Sequence, residues 1–261
     1  MKRYKYLLAN GCSIVKGSRI QSEPGVWCGD KKRFSKLLSD KLKCEEINIS
    51  EAGCSNDRII RTTFDWVESN HDKLNDTLCI IGFTELSRME LWDNTLNKYQ
   101  QVMPNNLSGI LSSKQLYEEV EKFFGKLPKK ENIMNYFDFY FKYIYNEVEL
   151  KDRLQRNIKL LLSFCKSKGL NDIIFFNSMG DHTDKLKQIK GYFSFDKKHD
   201  AWFDFLTEKH YVDKKGYDTK SHLPPYGKYF CGSHPSPIQH EKLSHQLYNF
   251  VEKYEYLNEE V

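Results

Sequence analysis

Short apolar runs alternate along this chain with stretches whose apolar residues recur every three or four positions, so strands and helices are predicted in turn. Residues 4–9 (YKYLLA) are apolar and aromatic and stop at Asn10-Gly11, as a buried strand ended by a turn would. From Phe34, apolar residues fall at 34, 37, 38 and 42, a helical spacing. Residues 46–49 predict a second short strand, followed by the turn-rich Ala52-Gly53-Cys54-Ser55-Asn56. Asn56 stands where an N-cap belongs, ahead of a helix whose face is Ile59, Ile60, Thr63, Phe64 and Val67. Residues 77–82 (TLCIIG) are nearly all apolar, the pattern of a strand covered on both faces. A long helix follows later, with Leu154, Ile158, Leu161, Leu162 and Cys165 on one side and Gly169 at its end. Residues 172–177 (DIIFFN) give a fourth strand. Ser236-Pro237-Ile238-Gln239 opens the last helix, with Ser at the N-cap, Pro at the first helical position and Gln two residues on. Its apolar face is Leu243, Leu247, Phe250, Val251 and Tyr254.

Two stretches break the alternation. Residues 93–150 are polar and aromatic, lack strand-like alternation and are punctuated by Pro104 and Pro128, so they predict a helical insertion or lid within one domain spanning 1–261. The aromatic run Tyr136 to Tyr145 reads as helix-packing surface, with a carbohydrate platform as the alternative. Residues 180–230 carry mixed signals. Alternating short apolar strands and helices predict an α/β fold: a three-layer α/β/α sandwich around a central, mostly parallel sheet. In such a sheet ligands bind beyond the carboxyl ends of the strands. Three of those ends carry distinctive turns, Gly11-Cys12-Ser13, Gly53-Cys54-Ser55-Asn56 and Gly82-Phe83-Thr84-Glu85, which should converge.

Composition narrows the function class. Forty Lys+Arg against 36 Asp+Glu give a net charge of +4 over 261 residues, and the basic runs are short and dispersed, so no nucleic-acid partner is expected. No run approaches about 18 apolar residues, which excludes a membrane-spanning helix. The amino-terminal MKRYKYLLA is basic and then too briefly apolar for a secretory signal, and reads as the first strand. Seven cysteines, without a CxxC, point to reduced thiols and a cytoplasmic protein. His182, His199, His210 and His222 have no ligand spacing, so no metal is expected.

The turns form an ordered set with Cys231-Gly232-Ser233-His234 near the carboxyl end. In that order the chain resembles the SGNH (GDSL-like) hydrolase family. Gly11-Cys12-Ser13-Ile14 corresponds to the family's Gly-Asp-Ser-Leu block, and Asn48 through Gly53 to its Asn-x-Gly-x-x-Gly, with Ser50 at the inner glycine. Gly82-Phe83-Thr84-Glu85 corresponds to Gly-x-Asn-Asp, and Cys231 through His234 to Asp-x-x-His. The overall form is most similar to divergent members from bacteriophage genomes, which would place the protein in the host cytoplasm or the virion.

The resemblance implies a serine-dependent hydrolase of acyl esters. Ser13 would be the nucleophile and His234 its base, because a serine hydroxyl attacks only when a neighbour takes its proton. The amides of Ser13 and Gly53 would hold the oxyanion, with Thr84 where the family has an Asn donor. Asn56, Glu85 and Arg88 are further candidates for substrate contact, Arg88 for an anionic group unless Glu85 or Glu90 pairs with it. The implied partner is an acylated small molecule or saccharide, no cofactor is needed, and the oligomeric state stays open. Cys231 replaces the family's triad Asp, which leaves three alternatives: a Ser–His dyad, recruitment of another carboxylate such as Glu208, Asp213 or Asp218, or a binding or phage accessory protein that has lost catalysis.

Overall fold

The computed structural model describes residues 4–23, 26–94, 97–102, 135, 138–180, 186–195, 201–202, 205–206, 230–231 and 234–256. Strand β1 (Tyr6–Gly11) runs into a short helix α1 (Ser13–Lys16). A small ribbon, β2 (Gln21–Glu23) and β3 (Val26–Trp27), precedes helices α2 (Gly29–Lys32) and α3 (Phe34–Leu42). Then come β4 (Glu45–Asn48), α4 (Asn56–Ser69) and β5 (Thr77–Phe83). An antiparallel hairpin, β6 (Met89–Asp93) and β7 (Lys98–Val102), follows. Helix α5 (Glu147–Lys168) leads into β8 (Asp172–Asn177). The two-residue strands β9 (Phe230–Cys231) and β10 (His234–Pro235) precede the last helix, α6 (Pro237–Tyr256).

β4, β1, β5 and β8 form one parallel sheet in that order. Every residue of β5 and β8 is buried, as expected of strands covered on both faces. Helices pack in pairs on the two faces of the sheet, α3 with α6 and α4 with α5. On one side the Phe34 ring meets Phe176 edge-on at 6.0 Å, and on the other Phe64 packs against Phe164 with ring centroids 4.4 Å apart and the rings tilted. The fold is therefore α/β, three layers deep, as the alternation predicted. From β1 the chain goes outward through α3 to β4, then returns across β1 through α4 to β5. That reversal makes the carboxyl end of β1 a topological switch point, where open α/β sheets leave a crevice.

Asn10 fixes α4 to the sheet. It is fully buried, and its amide nitrogen donates to the Ile59 carbonyl and to the Thr62 and Thr63 hydroxyls, each at 2.9 Å. The sequence pattern placed Asn10 in a turn, whereas it closes a strand.

Three other local expectations differ from what is found. Ser55, not Asn56, caps α4, its side chain accepting from the Arg58 N–H at 3.2 Å. Residues 98–102 pair as a strand inside the stretch expected to be helical, with Trp92 and Tyr99 in edge contact at 4.9 Å. The described part of the Tyr136–Tyr145 run is a π-helical turn (Tyr140–Ile144) that exposes Phe139, Phe141 and Tyr143 rather than burying them. The rest of the expected insertion, residues 103–134, lies outside the described residues, as do Glu208, Asp213, Asp218 and the four histidines weighed as metal ligands.

Candidate active site

Two glycines place Ser13. Gly11 and Gly82 stand side by side as partners in β1 and β5. A Cβ on Gly82 would lie 2.6 Å from the Val15 side chain, and one on Gly11 would lie 2.8 Å from the Gly82 carbonyl oxygen. Val15, fully buried, occupies the room the missing side chains leave, so α1 can turn across the sheet end directly after β1. Cys12 is the extended N-cap residue and Ser13 the first helical one. Amides of a first helical turn have no partner within the helix, and the Ser13 N–H has no acceptor among the described residues.

The turns that follow the sheet strands interlock around this point. The Gly11 carbonyl accepts from the Glu51 N–H at 3.0 Å and from the Cys54 thiol at 3.2 Å. Burial pushes the Cys54 thiol up to about 12, which keeps it a protonated donor. Gly53, at φ +75°, makes the turn that brings Cys54 over, and its N–H also lacks an acceptor among the described residues. Asn56 clamps the end of β5: its oxygen accepts from the Thr84 N–H at 2.8 Å and its nitrogen donates to the Thr84 carbonyl at 2.9 Å. Ser178, just past β8, donates to the Phe83 carbonyl at 2.6 Å and meets the Cys12 sulfur at 3.3 Å. The three turns expected to converge are thus joined by hydrogen bonds.

His234 arrives from far along the chain. Its Nε2 lies 2.9 Å from the Ser13 oxygen, across 221 positions of sequence. It sits in β10, paired with Cys231 of β9, and α6 begins three residues later. Helix α6 is held by buried Leu243, Leu247 and Val251 and by His240. The His240 Nδ1 accepts from the Phe34 N–H at the start of α3 at 3.2 Å, while its ring lies parallel to the Phe34 ring at 6.0 Å. That acceptor role requires a neutral imidazole, and burial foremost pulls His240 down to about 3. His234 is also lowered, to about 4, by burial first and then by the positive charges of Arg19 and Arg88. It is therefore neutral over the whole physiological range and able to accept a proton.

The remaining candidates divide. The Thr84 hydroxyl is buried without a hydrogen-bond partner among the described residues, as is that of Ser50. Both ends of the Asn56 amide are occupied by Thr84, so this side chain holds the loop after β5 in place. Glu85 accepts from the Arg88 Nε at 3.2 Å, whereas Glu90 pairs with Arg61 through two bonds of 2.9 and 2.7 Å. Sequence reasoning missed Asn10, Cys54, Ser178 and His240. The signal for Asn10 and His240 was a polar residue inside an otherwise apolar face; the other two have small side chains that look like turn filler.

No family model matches the chain, and no curated protein matches it. Among solved structures it is similar to the psychrotrophic esterase EstA from Pseudoalteromonas sp., in a crystal structure inhibited by monoethylphosphonate, with 10% identity over 97% of this chain and 99% of that one and a TM-score of 0.46. It is also similar to TesA, with 10% identity over 95% of this chain and 99% of that one and a TM-score of 0.44.

Proposed function

We propose that the protein is a serine-dependent hydrolase of acyl esters on small molecules or saccharides. The observation that supports this most is the 2.9 Å contact between the Ser13 hydroxyl and the His234 Nε2 at the switch point of the sheet. In this reading Nε2 takes the hydroxyl proton as the Ser13 oxygen bonds to the ester carbonyl carbon. The carbonyl electron pair moves onto oxygen, where the free amides of Ser13 and Gly53 stabilise it, with the Thr84 hydroxyl as a third donor. Collapse expels the alcohol, which takes its proton from His234. Water then repeats the sequence on the acyl-serine, releasing the acid and restoring Ser13. The scheme uses no cofactor.

His234 pulled down to about 4 is a weak base, and the position that the resemblance gives to a triad Asp holds Cys231, a residue type that stabilises an imidazolium less well than a carboxylate. This favours a second reading, a binding or phage accessory protein on the same fold. A fluorophosphonate, which bonds covalently to an activated serine, separates the two. The hydrolase reading expects labelling of the folded protein on Ser13 and none in Ser13→Ala; intact folded protein that stays unlabelled at Ser13 would discard it.

A further inference from the structure

We propose that Arg88 anchors an anionic group of the substrate, a carboxylate or a phosphoryl group, in a narrow cleft between the start of α4, the loop after β5 and the first turns of α5. The proposal rests on the ester-hydrolase reading and narrows its substrate class to acyl esters that carry a negative charge.

Arg88 is nine-tenths buried, with 10% of its side chain exposed. A guanidinium offers five N–H donors, and burying one is costly unless those donors meet acceptors. Here Nε donates to a single carboxylate oxygen of Glu85 at 3.2 Å, and Nη2 donates to the Met179 sulfur, a weak acceptor, at 3.2 Å. Nη1 is buried and has no hydrogen-bond partner among the described residues. Arg61 shows what a completed site looks like: its Nε and Nη2 grip both oxygens of Glu90. Arg88 thus keeps donor capacity that only a further acceptor would fill, in the planar geometry that suits a carboxylate or phosphate.

The cleft it lines has a matching character. Arg153 on α5 is exposed and makes no ion pair among the described residues, and Asn157 stands one turn further along. Asp57 is the one acidic residue of the lining, against two arginines. Leu150 and Leu154 supply an apolar wall for the chain that would join the anion to the ester. Arg88 links the cleft to the reacting pair, being near enough for its charge to act on His234. Thr84 and Glu85 directly follow β5, the neighbour of β1, and Met179 follows β8 by two residues. The charge of Arg88 also bears on His234, helping to hold it neutral. A bound anion would offset that charge and make His234 a stronger base as substrate arrives.

Two esters of equal length test this: 4-nitrophenyl hexanoate, which is neutral, and the mono-4-nitrophenyl ester of adipic acid, which ends in a carboxylate. The expected result is a higher kcat/KM for the adipate ester, with the adipate-to-hexanoate ratio falling at least about ten-fold in Arg88→Met through a rise in KM. Arg88→Lys should recover part of the ratio. A ratio unchanged in Arg88→Met overturns the proposal while leaving the hydrolase reading standing. Titrating adipate and inorganic phosphate into the Ser13→Ala protein tests anion binding without turnover. Saturable binding of either ion that Arg88→Met abolishes supports the site even if no ester is cleaved, and the tighter ion tells carboxylate from phosphoryl. Absence of binding by both ions overturns it. If Arg88→Met fails to fold, competitive inhibition of the unaltered protein by adipate against hexanoate supports the proposal, and its absence at millimolar adipate overturns it.

Discussion

Ser13 and His234 meet at one rim of the sheet, yet they are put there by different physics. Ser13 is placed locally. Gly11, Gly82 and Val15 leave α1 one way to leave β1, and the turn hydrogen bonds from Glu51, Cys54 and Ser178 brace that point from three sides. His234 is placed from a distance. It sits in a two-residue strand, and its position depends on α6 docking against α3 through buried leucines and the His240–Phe34 contact. The nucleophile is thus set by close packing within the sheet, and the base by a helix that must dock. Damage to the first should appear as lost stability, and damage to the second as lost stability together with lost coupling between the two side chains.

The largest expected effect tests whether the two sides act as one unit. Ser13→Ala and His234→Ala should each lower kcat/KM for a cleaved ester by on the order of 10⁴-fold or more, and the double variant should lose little beyond either alone. Additive losses would mean that the histidine acts independently of the serine. Packing comes next. Gly82→Ala should cost about 1–3 kcal/mol in urea unfolding, because its new methyl meets the Val15 side chain. Adding Val15→Ala should recover more of that loss than it does in Gly11→Ala, where the backbone oxygen of Gly82 also stands in the way. Equal recovery in both would contradict the geometry.

On the histidine side, His240→Leu keeps an apolar shape but leaves the buried Phe34 N–H without its acceptor, and should cost about 1–3 kcal/mol. The histidine side also carries a pH dependence. His234 and His240 titrate in the native state near 4 and 3, below the unfolded histidine value of about 6.5. Between those values the unfolded chain binds more protons than the folded one. Stability therefore falls as pH drops from about 6.5 toward 4 and 3, and is restored on raising it. Urea midpoints between pH 7 and pH 4 should move down, and less so in His240→Leu.

Much of the sheet was legible because its strands are short apolar runs between helical faces, from Tyr6–Gly11 to Asp172–Asn177. Ser13 and His234 stood out only as parts of an ordered set of blocks, since neither is unusual in its own neighbourhood. What sequence could not show was which polar side chains bond to which. The choice of Ser55 over Asn56 as the cap of α4 follows from the long-range bond of Asn56 to Thr84, a tertiary preference that local pattern does not carry. The β6–β7 hairpin was hidden for a related reason: much of it faces solvent, so no apolar run marks it.

Activation of the Ser13 hydroxyl by the His234 imidazole can be read from the pH dependence of fluorophosphonate labelling at Ser13. The rate should be level through neutral pH and fall only as His234 protonates near pH 4, with labelling lost in His234→Gln. A rate that climbs steadily with hydroxide and is the same in His234→Gln would contradict it.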